Sequence, residues 1–357
     1  MILLFTVAAT PCLADYDEAA ALEAAIKNIN FTVPTANDGM LVTAMRMAGK
    51  LQPNDELANA YILAVNDALA RGSYVNTTEA VLGVTAAGMD ASALQNGALL
   101  TALETESASI TNPVLLADTL LALACGGYSL PSGTTTQVLV DRLRSVQNPD
   151  SGFGEGGVSN MTATAKALAA LAYYKEFEGV QDSINNGGGY MVVSQAEVGN
   201  FPAEKGDTVT VTALAIIGLS VNGFDAARLT QEGGDAVEYL CKAQSPDGGF
   251  GTFVGAGTDR ATTTTAAIAL AAHRELAVSA FNFSKNLSTQ LPEKTESAQP
   301  TPPPTENVDN SEPSVPEEDA PLLPFGIEQI ILVFVIIAIL GAAVPIIIIK
   351  LTHRRRR

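Results

Sequence analysis

Six segments almost free of large polar side chains recur along this chain. They read "MLVTAMRMAG" from Met40, "TTEAVLGVTAAGM" from Thr77, "PVLLADTLLALACGG" from Pro113, "MTATAKALAALAYY" from Met161, "DTVTVTALAIIGLS" from Asp207 and "TTTTAAIALAAH" from Thr262. Longer, more charged amphipathic stretches separate them: "DYDEAAALEAAIKNI", "DELANAYILAVNDALA", "ASALQNGALLTALETE", "TTQVLVDRLRSVQ", residues 180–195, and "FDAARLTQEGGDAVEYLCKAQ". A helix that is apolar or small on every side belongs in a crowded inner layer, and one with a single polar face belongs outside. Two helices per repeat and six repeats predict an all-α fold, an (α/α)6 toroid spanning residues 15–284. An open solenoid is the alternative, because a repeat count alone does not force closure.

The joints between helices carry a second repeat. "VLVDRLRSVQNPDSGFGEGG" begins at Val138 and "AVEYLCKAQSPDGGFGTFVG" at Ala236. Each runs an amphipathic helix into Gln, then Pro-Asp, a tight turn and a Phe: Gln147, Asp150, Gly152 and Phe153 in the first, Gln244, Asp247, Gly248 and Phe250 in the second. Pro ends the helix and Asp with Gly favours the turn. The Gln amide suits orphan backbone groups at a helix end, and the Phe suits the gap between repeats. No member is an obvious nucleophile or base, so the loop reads as architecture.

At these residues the chain resembles the prenyltransferase and squalene-cyclase (terpenoid cyclase) repeat superfamily. Its motif Q-x3-G-x-W is matched by Gln244, Gly248 and Phe250 with Phe for Trp, and less well by Gln147 and Phe153, with Ser151 in the Gly position. The resemblance implies the toroid and covers roughly residues 15–284, most specifically the last half. It extends to relatives with cyclase, protein-prenylating, thioester and vitamin B12-carrying functions, so fold alone assigns no activity.

The chemistry those relatives use is missing its residues. The nearest match to the cyclase D-x-D-D motif is Asp15-Tyr16-Asp17-Glu18, on an expected outer helix. Where the zinc-binding D-x-C would stand, Asp259 is present but Ala261 replaces the thiolate, and His273 alone does not complete a site. The thioester sequence is absent, since Cys125 lies in Ala-Cys-Gly-Gly. The expectation is therefore no catalytic residue, metal or cofactor, and a binding module rather than an enzyme. The alternatives are a cyclase-like enzyme using a non-standard acid such as Asp207 or Asp259, and a corrinoid-capturing protein. Loops leading into the inner helices should line one rim, offering Glu155, Asn160, Glu204, Asp207, Asp259 and Arg260, with Tyr190 and Phe201 nearby and hydroxyls from Thr262 to Thr265. Polar groups converging with aromatics on a concave surface are where a ligand is first sought. Asn160, Asp207 and Thr262 are also in helix-capping positions.

The ends set the expected location. Residues 1–14, "MILLFTVAATPCLA", read as a signal peptide. Residues 285–326 hold nine of the 18 prolines between Pro292 and Pro324 and read as a disordered stalk of up to about 100 Å. Within 327–350, Ile330 to Ile349 are twenty residues without a charge, about the ~30 Å a bilayer core requires. The tail 351–357 ends in four arginines, placing it in the cytoplasm and the toroid outside. Residues 15–329 carry all 38 acidic but only 15 basic side chains, a net charge of −23 that disfavours nucleic acid and anionic lipid as partners. Cys125 and Cys241 permit one bridge, but two buried thiols are the expected state. The whole reads as a single-pass cell-membrane protein presenting an acidic rim to an extracellular small molecule, glycan or protein.

Overall fold

The computed structural model describes residues 16–132 and 134–293. The segments read as signal peptide, stalk beyond residue 293, membrane span and basic tail lie outside them. The described residues contain helices and no β-strand, only isolated bridges. Among them, no helix is long and apolar enough to cross a membrane.

Chain order alternates outer and inner helices. The outer set is α1 (Glu18–Ile29), α3 (Glu56–Ala70), α5 (Ala98–Ser107), α7 (Thr136–Ser145), α9 (Val180–Ser194) and α11 (Ala236–Lys242). The inner set is α2 (Gly39–Met47), α4 (Thr77–Ala86), α6 (Pro113–Gly126), α8 (Met161–Leu171), α10 (Thr208–Ser220) and α12 (Arg260–Glu275). Each inner helix packs on the next, α2 on α4 through to α10 on α12, and α12 packs back on α2. The ring is closed. Outer helix α1 sits chiefly against α12, so the two ends of the described chain meet.

Two outer stretches differ from their sequence reading. The one from Ala91 is broken: a 3-10 turn, Ala91–Gly97, precedes α5, and Gln95 and Asn96 adopt positive φ of 46° and 57°. Asn tolerates this backbone, and Gly97 completes the break at φ 82°. The last outer stretch keeps a 3-10 turn at Ala226–Arg228 and only seven α-helical residues, with Gly233 and Gly234 interrupting it just ahead of the Asp235 cap.

The Gln joints do what their chemistry suggests. Gln147 Nε2 donates to the Ser151 carbonyl at 2.9 Å and to Ser183 of α9 at 3.0 Å. Gln244 Nε2 donates to Gly248 at 2.8 Å and, across the closure, to Ala21 of α1 at 2.8 Å. Phe153 and Phe250 are fully buried, and their backbone N–H groups donate to Thr164 and Thr263 hydroxyls, each 2.9 Å away. A third joint, unread in the sequence, repeats the pattern. Gln195 Nε2 donates to Gly199 at 2.9 Å and Leu229 at 2.8 Å, and the Phe201 N–H donates to Thr212 Oγ1 at 3.0 Å. Ser151, Gly199 and Gly248 hold the same left-handed turn, with φ of 76°, 87° and 87°.

The segment after α12 passes the far ends of the inner helices. Phe281 is buried, its N–H donates to Tyr173 Oη at 3.1 Å, and the Phe283 N–H donates to the Cys125 carbonyl at 2.8 Å. Ser288 exchanges backbone hydrogen bonds with Gly88 and Asp90, so ordered packing continues past residue 284.

Candidate functional site

The ring encloses a cavity of about 1100 Å³, lined by residues of the inner helices, by the segments just before them and by Glu106 of α5. Phe281 also lines it, from the segment at the helices' far ends. The walls have two levels. Asp38, Glu79, Asp118, Lys166, Asp207 and Arg260 fall at the N-caps or within the first two turns. Leu121, Ala169, Ile217 and Ile268 fall deeper, toward Phe281. From Asp207 to Ile217 the drop is about 15 Å at ~1.5 Å per residue. The result is a cup with a charged collar and an apolar base.

Both cations in the collar are matched. Lys166 Nζ donates to Asp118 Oδ1 at 2.9 Å and Oδ2 at 2.8 Å, joining α8 to α6. Arg260 Nη2 lies 3.5 Å from Asp38 Oδ1, while Asp38 Oδ2 accepts from the N–H and hydroxyl of Thr35, each at 2.7 Å. Four lining carboxylates have no ion pair among the described residues: Glu79, Glu106, Asp207 and Asp259. Glu106 accepts from Thr77 Oγ1 at 2.7 Å, and Asp259 from the Thr262 N–H at 2.7 Å. Among the described residues, the Glu79 carboxylate accepts only from Asn76 Nδ2, at 2.9 Å, besides that residue's capping role. Burial, then the charges of Asp118 and Asp38, push its carboxyl above the ordinary carboxylate range despite Lys166 nearby. Asp207 makes no capping bond and has no side-chain partner among the described residues.

The residues expected at the rim divide accordingly. Asp207, Asp259 and Arg260 line the cup, as do Thr264 and Thr265. Glu155, Asn160, Tyr190, Phe201 and Glu204 do not. Asn160 caps α8 through the Ala163 N–H at 2.8 Å. Phe201 is buried in the third joint, and Tyr190 on α9 lies over Gly152, where an added Cβ would meet Tyr190 Cε2 at 2.9 Å. Glu155 borders a separate hollow of about 320 Å³, and Glu204 is an exposed loop residue. Thr262 is not a cap, because α12 begins at Arg260 and Asp259 caps it. Thr263 serves the Phe250 joint.

Asp38, Glu79, Glu106, Asp118 and Lys166 were not anticipated. A signal for three of them was present. Glu79, Asp118 and Lys166 are the charged residues inside their otherwise apolar inner segments, and a charge retained in a crowded layer needs a partner or a cavity.

His273 lies at the opposite end of α12 from Asp259, far from the cup, and there serves ring closure. Its Nδ1 is 3.0 Å from Glu18 Oε1 on α1, and its Nε2 is 3.0 Å from Asp225 Oδ1. Among the described residues, no group of three or more His, Cys, Asp or Glu is arranged to hold a metal ion. Burial alone would lower the imidazole pKa, but hydrogen bonds and charge from Glu18 and Asp225 outweigh it and raise it. A raised folded pKa gives stability that is complete below the ordinary value near 6.5 and is lost as pH rises through the raised one. Melting temperature should therefore fall as pH rises beyond that ordinary value. His273→Ala should remove that slope and cost about 2 kcal/mol at pH 6, the scale of a hydrogen-bonded charge. A variant melting with the wild-type pH profile would refute the latch. Cys125 is buried and Cys241 half-buried; both are free thiols, pushed by burial up to about 12 and so held protonated.

No protein-family model matches the chain, and no curated protein matches it. Among solved structures, it is similar to a mutant of unsaturated glucuronyl hydrolase from Streptococcus agalactiae, at 11% identity and a TM-score of 0.47, over 71% of this chain and 90% of that one. At that identity and score the likeness carries nothing about activity, and the closed helical ring rests on the helix packing itself.

Proposed function

We propose that this chain is a ligand-binding module held at a cell surface, with the cup as its binding site. The observation that carries the reading is the cup: a deep, concave space with apolar lower walls and convergent polar groups above them. Its size suits a small molecule better than a protein loop or a long glycan. The anchor is supported by sequence alone: the Pro-rich stretch, the uncharged run from Ile330 to Ile349 and the arginines after it. Native mass spectrometry of the full-length chain from its own host, with metal analysis of the same sample, tests the site. A discrete bound mass of small-molecule size is expected. A clean apo mass, with no shift in melting temperature across a metabolite extract of that host, would refute it. Protease shaving of intact cells should remove residues 15–284, and their resistance would overturn the topology.

One observation favours a second reading. Glu79 is a half-buried carboxyl biased toward its neutral form inside a cavity, the condition of a general acid. In that case Glu79, rather than Asp207 or Asp259, is the non-standard acid, and Glu79→Gln would abolish turnover of whatever small molecule is recovered.

A further inference from the structure

We infer that the cup takes an amphiphilic cation, an apolar body carrying an ammonium-type head, with the body on the base and the head in the collar. The inference rests on the reading of the cup as a ligand site and names the chemistry of its ligand.

Three observations converge on it. The base is apolar: Leu121, Ala169, Ile217, Ile268 and Phe281 offer neither donor nor acceptor from their side chains. A charged or strongly hydrated group placed there would lose its solvation without recompense. The collar is acidic in excess, and its own cations are already spent. Lys166 is held by both oxygens of Asp118, and Arg260 faces Asp38. An anionic ligand would have to displace one of those partners and would still meet the remaining carboxylates. Finally, the spare carboxylates stand at the right height. Glu79 is in the first turn of α4 and Asp207 is the cap residue of α10, both above the apolar level. Among the described residues, Asp207 has no side-chain partner to release, and Glu79 has one neutral hydrogen bond from Asn76. A cation between these walls supplies the countercharge that Glu79 lacks and favours its ionised form. The about 15 Å from collar to base accommodates a chain of roughly ten carbons.

The test uses the full-length chain in nanodiscs of zwitterionic lipid, titrated calorimetrically with decylammonium, decan-1-ol and decanoate, with empty nanodiscs subtracted. Decylammonium should bind saturably and at least tenfold more tightly than the alcohol, and decanoate should not bind. Glu79→Gln and Asp207→Asn should each weaken decylammonium about tenfold, or ~1.4 kcal/mol, and leave the alcohol unchanged. Raising the salt should weaken the ammonium alone. Melting curves confirm that each variant is folded; should Glu79→Gln fail to fold, Asp207→Asn carries the comparison. Equal binding of alcohol and ammonium, or tighter binding of decanoate, overturns the cationic assignment and leaves the cup as a ligand site. Absence of binding by all three overturns the assignment too, and the recovered mass from the native host then decides separately whether the cup binds anything.

Discussion

Gly39→Ala should destabilise the folded chain by more than about 3 kcal/mol or prevent its folding, although alanine is the better helix former. Replacing a helical glycine normally gains about 1 kcal/mol from reduced unfolded-state entropy. At Gly39 a Cβ would stand 2.0 Å from the Glu79 carbonyl oxygen and 2.5 Å from its carbon. These are backbone atoms of α4, so no side chain can swing aside. The facing residue is equally tight, since a Cβ on Gly83 would lie 2.5 Å from Gly39 Cα and 2.6 Å from Tyr61 Oη. Relief requires α2 and α4 to separate, and in a closed ring that strain passes to every neighbouring contact. Ordinary overpacking costs about 1–3 kcal/mol, and this lies above that range because rigid backbone opposes it. The control is Gly188→Ala on outer helix α9, where nothing lies within 4 Å of the added Cβ. It should be neutral or stabilise by up to about 1 kcal/mol. Denaturant melts of both variants decide the point. A Gly39→Ala chain within 1 kcal/mol of wild type would mean that the inner layer is not packed backbone to backbone at this crossing.

That crossing also shows why the fold was readable and much of the site was not. Small residues on every side of six segments are a direct record of close helix approach, so Gly83 and Gly218 announced a crowded inner layer. Periodicity placed the inner helices within two residues of where they begin, the widest margin being α12, at Arg260 rather than Thr262. Closure was less visible, because it depends on α12 meeting α2 and on His273 reaching Glu18 across the length of the chain. The site suffered from a choice of level. The loops ahead of the helices carry the more conspicuous polar residues, yet Glu79, Asp118 and Lys166 line the cavity from within the helices. Five rim candidates, Glu155, Asn160, Tyr190, Phe201 and Glu204, do not line the cup. A single sequence marks where a charge occurs but not which side of a helix faces a cavity, unless the surrounding residues are uniformly apolar. Here they are, around Glu79, Asp118 and Lys166.

Phe201→Ala should cost about 3–5 kcal/mol, as much as Phe153→Ala or Phe250→Ala, which makes it the sharpest test of the third joint. By sequence Phe201 looked like a rim aromatic available to a ligand. "QAEVGNF" lacks the Pro-Asp pair of the other joints, so its kinship with "QNPDSGF" and "QSPDGGF" was hidden behind its most conspicuous residues. The bonding shows which members matter. Gln donates to the turn and to a carbonyl of the next outer segment, the following position with positive φ reverses the chain, and the Phe N–H meets a Thr hydroxyl on the inner helix. Asp150 and Asp247 instead serve their own loops, accepting from Gly152 and Ser159 and from Gly249 and Thr258. Loss of the Phe ring leaves a cavity between an outer and an inner helix at each joint, and the three sites are equally buried. Gln195→Ala should add an independent loss of about 1–3 kcal/mol, because two carbonyls would lose their donor in a buried place. If Phe201→Ala costs less than 1 kcal/mol while the other two exceed 3, the third match is spacing without function. If all three agree, the essential joint is Gln, a left-handed turn and a buried Phe. The Pro-Asp pair, which first drew notice to the motif, is then a local refinement of two copies.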